Sequence, residues 1–165
     1  MHASHGHEYV DSVKLPRATW EAIVDTLDRQ TLGDQDARRR ETRFRFAGCE
    51  IRLDIFNDKN QPTKFLVHGR NISASGLSVL HGGFVYPGSK CRLQIPMQDE
   101  RICVVDGVIV NCRHVAQRLH EISINFIDKL ELDRFDVTPV ATADAMPDQT
   151  ASSDDSVIAD SADAA

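Results

Sequence analysis

Four arginines lie within six positions in the stretch RRRETRFRF, at Arg38, Arg39, Arg40 and Arg43. The guanidinium group is planar and permanently charged, and its N–H groups can bind a phosphate or the O6/N7 edge of guanine in a bidentate manner. Basic runs often form a solvated surface, but this run falls between a predicted helix and the first predicted strand, where a loop lets side chains move onto a ligand. The arginines therefore indicate a site for a flat, anionic ligand that contains guanine.

A second polar motif, NISASG, runs from Asn71 to Gly76. Asn71 and Ser73 are two residues apart, so on an extended chain both side chains point to one face, and each can donate and accept hydrogen bonds. Gly76 lacks a Cβ atom, so it can adopt a positive φ and lets a ligand approach the backbone closely. These residue types are common in turns, so the motif alone is a weak signal. Together with the arginines that precede it, the motif indicates a binding site more strongly.

The elements that would position these motifs begin with a helix in the stretch LPRATWEAIVDTLDRQTLG. A spacing of i, i+3, i+4 and i+7 gathers four apolar side chains on one helical face: Trp20, Ile23, Val24 and Leu27. Pro16 favours the first turn of this helix and Gly33 favours its end. The pattern predicts an amphipathic helix, which docks either on its own domain or on a partner protein.

From Arg45 onward the apolar period changes from 3.6 to 2, which is typical of half-buried strands. Six segments of this kind are separated by residues that favour turns: CEIRLDI, KFLVHGR, GLSVL, KCRLQI, RICVVDGVIVNC and HEISINF. Short strands at this spacing predict an all-β fold, either an antiparallel barrel or a sandwich. The stretch DKLELDRF that follows predicts a short C-terminal helix.

The chain has a formal net charge of −6, and its acidity is concentrated near its end. Residues 137–165 contain six aspartates and no lysine, arginine or glutamate, a composition that predicts a disordered acidic tail. Without these six, 19 acidic residues balance 19 basic ones, so the remainder can hold an anion-binding site. The predicted organisation is a flexible histidine-containing N-terminus over 1–14, the helix and a linker over 15–36, the β domain with the arginine-rich loop at its start over 37–136, and the tail over 137–165.

The cysteines and the N-terminal histidines indicate neither a disulfide framework nor a metal site. Four cysteines lie among alternating apolar residues without a CxxC pattern, which favours buried free thiols: Cys49, Cys91, Cys103 and Cys112. His2, His5 and His7 have no carboxylate or cysteine partners at a fixed geometry, which favours a solvated terminus. Because no apolar stretch approaches the ~20 residues of a membrane span and no signal segment is visible, we expect a cytoplasmic protein without membrane insertion.

The two polar motifs together match a known signature. The pattern RxxxR is met by Arg39 and Arg43, and the pattern Asp/Asn-x-Ser-x-x-Gly is met by Asn71, Ser73 and Gly76. On these residues the chain resembles PilZ domains, the bacterial receptors for the second messenger cyclic di-GMP.

The resemblance covers roughly Ala37 to Asp128. It includes the segments DGVIVNC and HEISINF, which fall where the family carries a Gly-x-Val strand and an Ile-Gly-x-x-Phe pattern. One residue departs from the pattern, because Ser123 stands where the family usually has glycine. Its side chain is expected to crowd the adjacent backbone, although the signature itself is intact.

What the resemblance implies is a six-stranded antiparallel β-barrel that binds cyclic di-GMP on its surface, with the RxxxR loop folded over the ligand. Arg39 and Arg43 would hold the guanine edges and phosphates. Asn71 and Ser73 would hydrogen-bond a guanine, and Gly76 would keep the turn tight. Cyclic di-GMP is then a ligand, no further cofactor is expected, and the signal passes to a separate protein effector.

The remaining arginines bear on stoichiometry and on signalling. Arg38 precedes the first motif arginine, a position that in the family influences ligand number, and an arginine there favours a stacked pair of ligands. Arg40 and Arg45 either contact phosphate or stay solvated. Since clustered arginines repel one another without a ligand, binding should order the loop and change the orientation of the upstream helix that carries Trp20.

Other functions fit the sequence less well. A PilZ-like adaptor that works only through protein contacts would keep the fold and lose the ligand. An enzyme is disfavoured because the histidines are scattered along the chain and three acidic residues fall at predicted solvent-facing strand positions: His68, His81, His114 and His120; Asp54, Asp106 and Glu121. Nucleic-acid binding through the basic run is also disfavoured. Binding of single strands relies on aromatic residues that stack on the bases, and none lies directly beside Arg38, Arg39 and Arg40.

Overall fold

The computed structural model describes residues 8–31, 41–46 and 49–139. These ranges contain one α-helix, α1 (Arg17–Thr31), and nine strands: β1 (Val10–Asp11), β2 (Phe44–Arg45), β3 (Glu50–Phe56), β4 (Pro62–Ser73), β5 (Gly76–His81), β6 (Lys90–Pro96), β7 (Ile102–Ala116), β8 (Leu119–Phe126) and β9 (Thr138–Pro139). The strands from β3 to β8 correspond to the six alternating segments of the sequence.

These six strands form a closed antiparallel barrel. They pair in the order β3, β6, β7, β8, β5, β4, and β4 pairs back onto β3, so the sheet has no free edge along this path. Alternate residues of each strand point inward and fill the core, among them Ile51, Leu53, Val67, Ile122 and Ile124. The prediction of a six-stranded antiparallel barrel is confirmed, and the sandwich alternative is wrong because β3 and β4 close the sheet.

Three two-residue strands extend this barrel. β1 runs parallel to the first half of β4, at Phe65 and Leu66. β2 pairs antiparallel with the second half of β4, and β9 pairs in turn with β2. The backbone of Arg45 lies directly opposite that of Asn71, so the end of the arginine-rich segment adjoins the second polar motif.

The helix α1 docks on the barrel by the predicted face. Trp20, Val24 and Leu27 are buried and pack with Leu80 of β5 and Leu119 of β8. Full burial of a large apolar side chain contributes about 1.5–3 kcal/mol, so this face ties the helix to the barrel firmly. The helix begins at Arg17, so Pro16 directly precedes its first turn, whereas Gly33 lies outside the described residues.

The stretch DKLELDRF contains only a single 3-10 turn, Leu132–Arg134, in place of the predicted helix. An eight-residue segment is too short to hold an isolated helix, and its apolar side chains pack separately against the core. Phe135 is buried edge-to-face against Phe46, with ring centroids 6.3 Å apart. The predicted tail lies outside the described residues from position 140 onward.

The four cysteines are free, and their burial differs from the prediction. Only Cys91 is fully buried, and burial raises the pKa of its thiol to about 12. Cys49, Cys103 and Cys112 are half-buried at the margin of the core. Within the described ranges, no helix has the length and apolar content needed to cross a membrane.

Candidate functional site

Asn71 and Ser73 occupy the end of β4, and Gly76 opens β5 after the turn through Ala74 and Ser75. Ile72 between them is completely buried in the core, so the side chains of Asn71 and Ser73 point away from the barrel interior. They are nevertheless only 7% and 8% exposed. A ligand can reach these two polar groups only if part of their surroundings moves.

Their outward direction depends on an extra residue in β4. Val67 and Gly69 face the core, and strict alternation would then bring Asn71 inward as well. The pairing with β5 shifts between Gly69 and Asn71, so that Arg70 is the additional residue of a bulge. The bulge reverses the alternation, which brings Ile72 into the core and turns Asn71 to the outer face.

Gly76 is required for a different reason from the predicted one. Among the described glycines only Gly88 has a positive φ, of 92°. A Cβ atom on Gly76 would lie 2.5 Å from the carbonyl oxygen of Ile124 on β8. Glycine therefore lets β5 approach β8 closely, and the expectation of a positive φ at this position is wrong.

The RxxxR segment is described in part. Arg38, Arg39 and Arg40 lie outside the described residues, and Arg43 is exposed one residue before β2. Between the motif arginines, Glu41 contacts the turn that joins β4 to β5. Its carboxylate accepts hydrogen bonds from the Ser75 amide at 3.1 Å and from Lys129 Nζ at 2.8 Å.

Glu41 thus connects the two motifs, a contact that sequence reasoning missed. The hydrogen bond from Lys129, followed by that from Ser75, holds the pKa of Glu41 below its usual value. Glu41 is therefore ionised near neutral pH and keeps the segment before Arg43 beside the turn. The sequence did contain a signal for this contact, namely an acidic residue inside a run of arginines. A carboxylate there would weaken the attraction for an anionic ligand, so its presence indicates a local contact.

Six charged residues form a chain of ion pairs between α1 and the barrel, here called the ion-pair network: Asp25, Asp28, Arg45, Arg70, Arg113 and Glu121. Arg45 Nη1 lies 2.6 Å from Asp25 Oδ1 and 3.9 Å from Asp28 Oδ2. Arg70 Nη2 lies 3.1 Å from Asp28 Oδ1. Arg45 therefore pairs with the helix and does not stay solvated, while its contact with phosphate stays a prediction.

The centre of this network is buried. Arg70 is 3% exposed and Glu121 is 4% exposed, and the two side chains are paired with each other. Arg113 Nη2 approaches Glu121 Oε2 to 2.6 Å. The expectation that Glu121 faces solvent is wrong: its side chain points out of the barrel, but Arg70 and Arg113 enclose it.

Three histidines that are far apart in the sequence are neighbours in the fold. His81, His120 and His114 are paired directly across β5, β8 and β7, so they share one face. Burial lowers the pKa of His81 to about 4, with a smaller effect from His120, and a 2.6 Å hydrogen bond joins its Nδ1 to Ser12 Oγ. His81 is thus neutral at physiological pH. Across the described part of the chain, no group of three or more His, Cys, Asp or Glu side chains is arranged to hold a metal ion.

The closed six-stranded barrel, with a polar motif at the β4–β5 turn and residues 43–45 of the arginine-rich segment beside it, defines a class of small β-barrel domains. The PilZ domain family model matches residues 37–135, which is more than half of the chain. The chain belongs to the PilZ domain family.

Three solved structures are similar to this chain. The PilZ domain with c-di-GMP of YcgR from Escherichia coli is 12% identical with a TM-score of 0.43, over 55% of this chain and 78% of that one. The inhibitor of motility MotI/DgrA from Bacillus subtilis is 17% identical with a TM-score of 0.45, over 59% and 46%. The MrkH–c-di-GMP complex from K. pneumonia is 19% identical with a TM-score of 0.43, over 58% and 47%.

The match therefore spans less than half the length of the last two structures. No curated protein matches the sequence.

Proposed function

We propose that this protein is a receptor for cyclic di-GMP that changes conformation on binding and passes the signal to a protein effector. The observation that carries the proposal is the complete signature in a member of the PilZ family. Asn71 and Ser73 share the outer face of β4, and Arg45, two residues after Arg43, is paired with Asn71. The segment that follows Arg43 is therefore adjacent to the second motif, which supports a single binding site.

The proposed roles follow from side-chain chemistry. Arg39 and Arg43 hold guanine edges and phosphates with charge-assisted hydrogen bonds, which are about twice as strong as neutral ones. Asn71 and Ser73 bond a guanine, since each can donate and accept. Arg38 supports a stacked pair of ligands. Gly76 contributes indirectly, by allowing β5 to lie close to β8.

The proposed signal reaches α1 through Arg45. The pair between Arg45 and Asp25 is 30% and 46% exposed, and such pairs contribute only about 0–1 kcal/mol. A phosphate is an anion that the guanidinium fork binds in a bidentate manner, so a bound phosphate competes with Asp25 for Arg45. Loss of the pair between Arg45 and Asp25 would remove one of the contacts that hold α1 on the barrel.

The apolar contact between α1 and the barrel favours a change in the orientation of the helix over its detachment from the barrel. Three buried apolar side chains hold α1 on the barrel: Trp20, Val24 and Leu27. At about 1.5–3 kcal/mol each, they outweigh one exposed ion pair.

Isothermal titration of the full chain with cyclic di-GMP tests the proposal, beside the double variant Arg39→Ala, Arg43→Ala. We expect saturable binding by the wild type, with a stoichiometry of two for a stacked pair, and loss of binding in the double variant. A matched control is Arg92→Ala with Arg101→Ala, which removes two exposed arginines paired with Asp106 and Asp99 away from the motifs. Binding by the double variant as tight as that of the wild type would contradict the proposal.

An adaptor that binds no nucleotide is the second candidate. It is favoured by the low exposure of Asn71 and Ser73 and by the existing pairs of Arg45 with α1. Absence of binding by folded wild-type protein in the same titration would support it. The barrel would then act only as a docking surface for a protein partner.

A further inference from the structure

A row of small polar side chains continues from the signature across the outer face of the barrel. Asn71 of β4 is paired with Ser78 of β5, Ser78 with Ser123 of β8, and Ser123 with Asn111 of β7. Directly paired residues of antiparallel strands project to the same face. We call these four residues the polar row.

The neighbours of each residue establish that the row faces outward. Ser78 lies between Leu77 and Val79, and Ser123 lies between Ile122 and Ile124, all four of which are in the barrel core. On β7 the register shifts between Ile109 and Asn111, as it does beside Arg70 on β4. Two bulges, one at each end, therefore bring Asn71 and Asn111 into line with the two serines.

The row begins at the proposed binding site and leads to accessible surface. Its first member, Asn71, belongs to the signature and has Arg45 opposite its backbone. Four strands at about 4.8 Å spacing give the row a length of roughly 14 Å. Ser78 is buried, Ser123 is half-buried and Asn111 is exposed, so the far end of the row can meet a ligand without rearrangement.

We propose that Ser123 and Asn111 contact the nucleotide and extend guanine recognition from β4 across β8 to β7. The inference rests on the proposed binding of cyclic di-GMP. Guanine offers acceptors at O6 and N7 and a donor at N2, and serine and asparagine side chains can each donate and accept. On this account Ser123, the residue that departs from the family pattern, adds a hydrogen bond and does not obstruct the site.

The test is a titration with cyclic di-GMP and, for selectivity, with cyclic di-AMP, of wild type, Ser123→Ala, Ser123→Gly, Asn111→Ala and Asn71→Ala. Loss of one hydrogen bond should weaken binding about three- to tenfold in each of the Ser123 and Asn111 variants. The preference for the guanine over the adenine nucleotide should shrink by a similar factor. Thr63→Val, which removes an exposed hydroxyl near the start of β4, should bind as the wild type does.

The outcomes separate the two proposals. If the wild type binds and Asn71→Ala weakens binding, while Ser123→Ala and Asn111→Ala match the wild type, this inference is overturned and the receptor function stands. Tighter binding by Ser123→Gly would also overturn it, since Ser123 would then crowd the ligand. If the wild type does not bind, the proposed function is wrong and this inference is overturned with it. Asn111 is exposed, so its variant leaves the core intact and keeps the test decisive.

Discussion

The outer face of β4, β5 and β8 has two halves that differ in chemistry. The half under α1 is apolar and closed by a buried ion pair, with contributions from Leu80, Leu119, Arg70 and Glu121. The half next to the β4–β5 turn carries small polar side chains, among them Asn71, Ser73, Ser78 and Ser123. The boundary falls at Arg70, the extra residue of β4. One continuous surface therefore docks a helix and presents polar groups. A structural change on the polar half lies close enough to α1 to affect its contacts.

The two halves should also differ in how much their contacts stabilise the fold. The helix half relies on buried groups, whose loss leaves unpaired charge or empty space. The polar half carries neutral side chains and is bordered by partly exposed ion pairs such as that of Glu41 with Lys129. Substitutions on the helix half should therefore lower stability, whereas substitutions of polar side chains on the polar half should mainly change binding.

The largest expected effect comes from Arg70→Leu, which removes the centre of the ion-pair network. Breaking a buried pair typically costs about 3–5 kcal/mol, because the remaining charge stays buried. Arg113 still pairs with Glu121, so we expect a loss near 3 kcal/mol in urea unfolding. The matched control is Arg92→Leu, whose pair with Asp106 is 47% and 48% exposed and whose loss should leave stability nearly unchanged. Equal losses in the two variants would remove the distinction between the halves.

His81, at the end of the helix half, should make stability depend on pH. Its pKa of about 4 in the fold lies below the ordinary 6.5, so unfolded chain takes up a proton more readily. The stabilisation is complete above about pH 6.5 and is lost as the pH falls toward 4, by up to about 1.4 kcal/mol per pH unit, or about 3 kcal/mol in total.

The comparison of wild type with His81→Gln isolates this contribution. Glu41 and Asp106 have lowered pKa values in both proteins, so their loss of stability in acid cancels in the difference. Urea unfolding at intervals between pH 7 and 4 should show a steeper decline in the wild type. Parallel declines would show that His81 is protonated as easily in the fold as in the unfolded chain.

Gly76→Ala tests the close approach of β5 to β8 at the boundary of the polar half. A Cβ atom 2.5 Å from the Ile124 carbonyl oxygen must displace one strand, and overpacking of this kind costs about 1–3 kcal/mol. Gly83→Ala is the control, since the nearest atom to its Cβ would be His81 Nε2 at 3.7 Å. We expect a lower thermal midpoint for the first variant and little change for the second.

The smallest effect on stability is expected for Asp25→Asn on the polar side of α1. Arg45 loses an exposed partner, so stability should change by less than about 1 kcal/mol. If Arg45 is released to the ligand, cyclic di-GMP should bind more tightly by a small factor. Asp106→Asn removes an equally exposed pair elsewhere and should leave the titration unchanged.

Much of the barrel could be predicted from the sequence, because the alternation along each strand is a local property. Segments such as CEIRLDI and HEISINF separate inward from outward residues without knowledge of their neighbours. For the same reason the arginines could be placed in a loop before the first barrel strand, and the second motif between the second and third predicted strands. The family model confirms the resemblance on which their interpretation depended.

The rest depended on contacts between distant segments. Alternation identifies Glu121 as outward, but it does not indicate that Arg70 and Arg113 enclose an outward residue. Gly69 and Asn71 flank the bulge at Arg70, but a glycine in a strand does not by itself distinguish a bulge from close packing. The alignment of His81 with His120 follows from the register between two strands. The three two-residue strands are too short to produce a periodic pattern.

Hydrogen exchange of the full chain, with and without saturating cyclic di-GMP, tests the central claim most directly. The amides of residues 71–76 report on binding, and those of residues 18–31 report on α1. The account predicts slower exchange in the first segment and altered exchange in the second. Unchanged exchange in both segments would contradict the receptor function, and a change confined to residues 71–76 would contradict the coupling to α1.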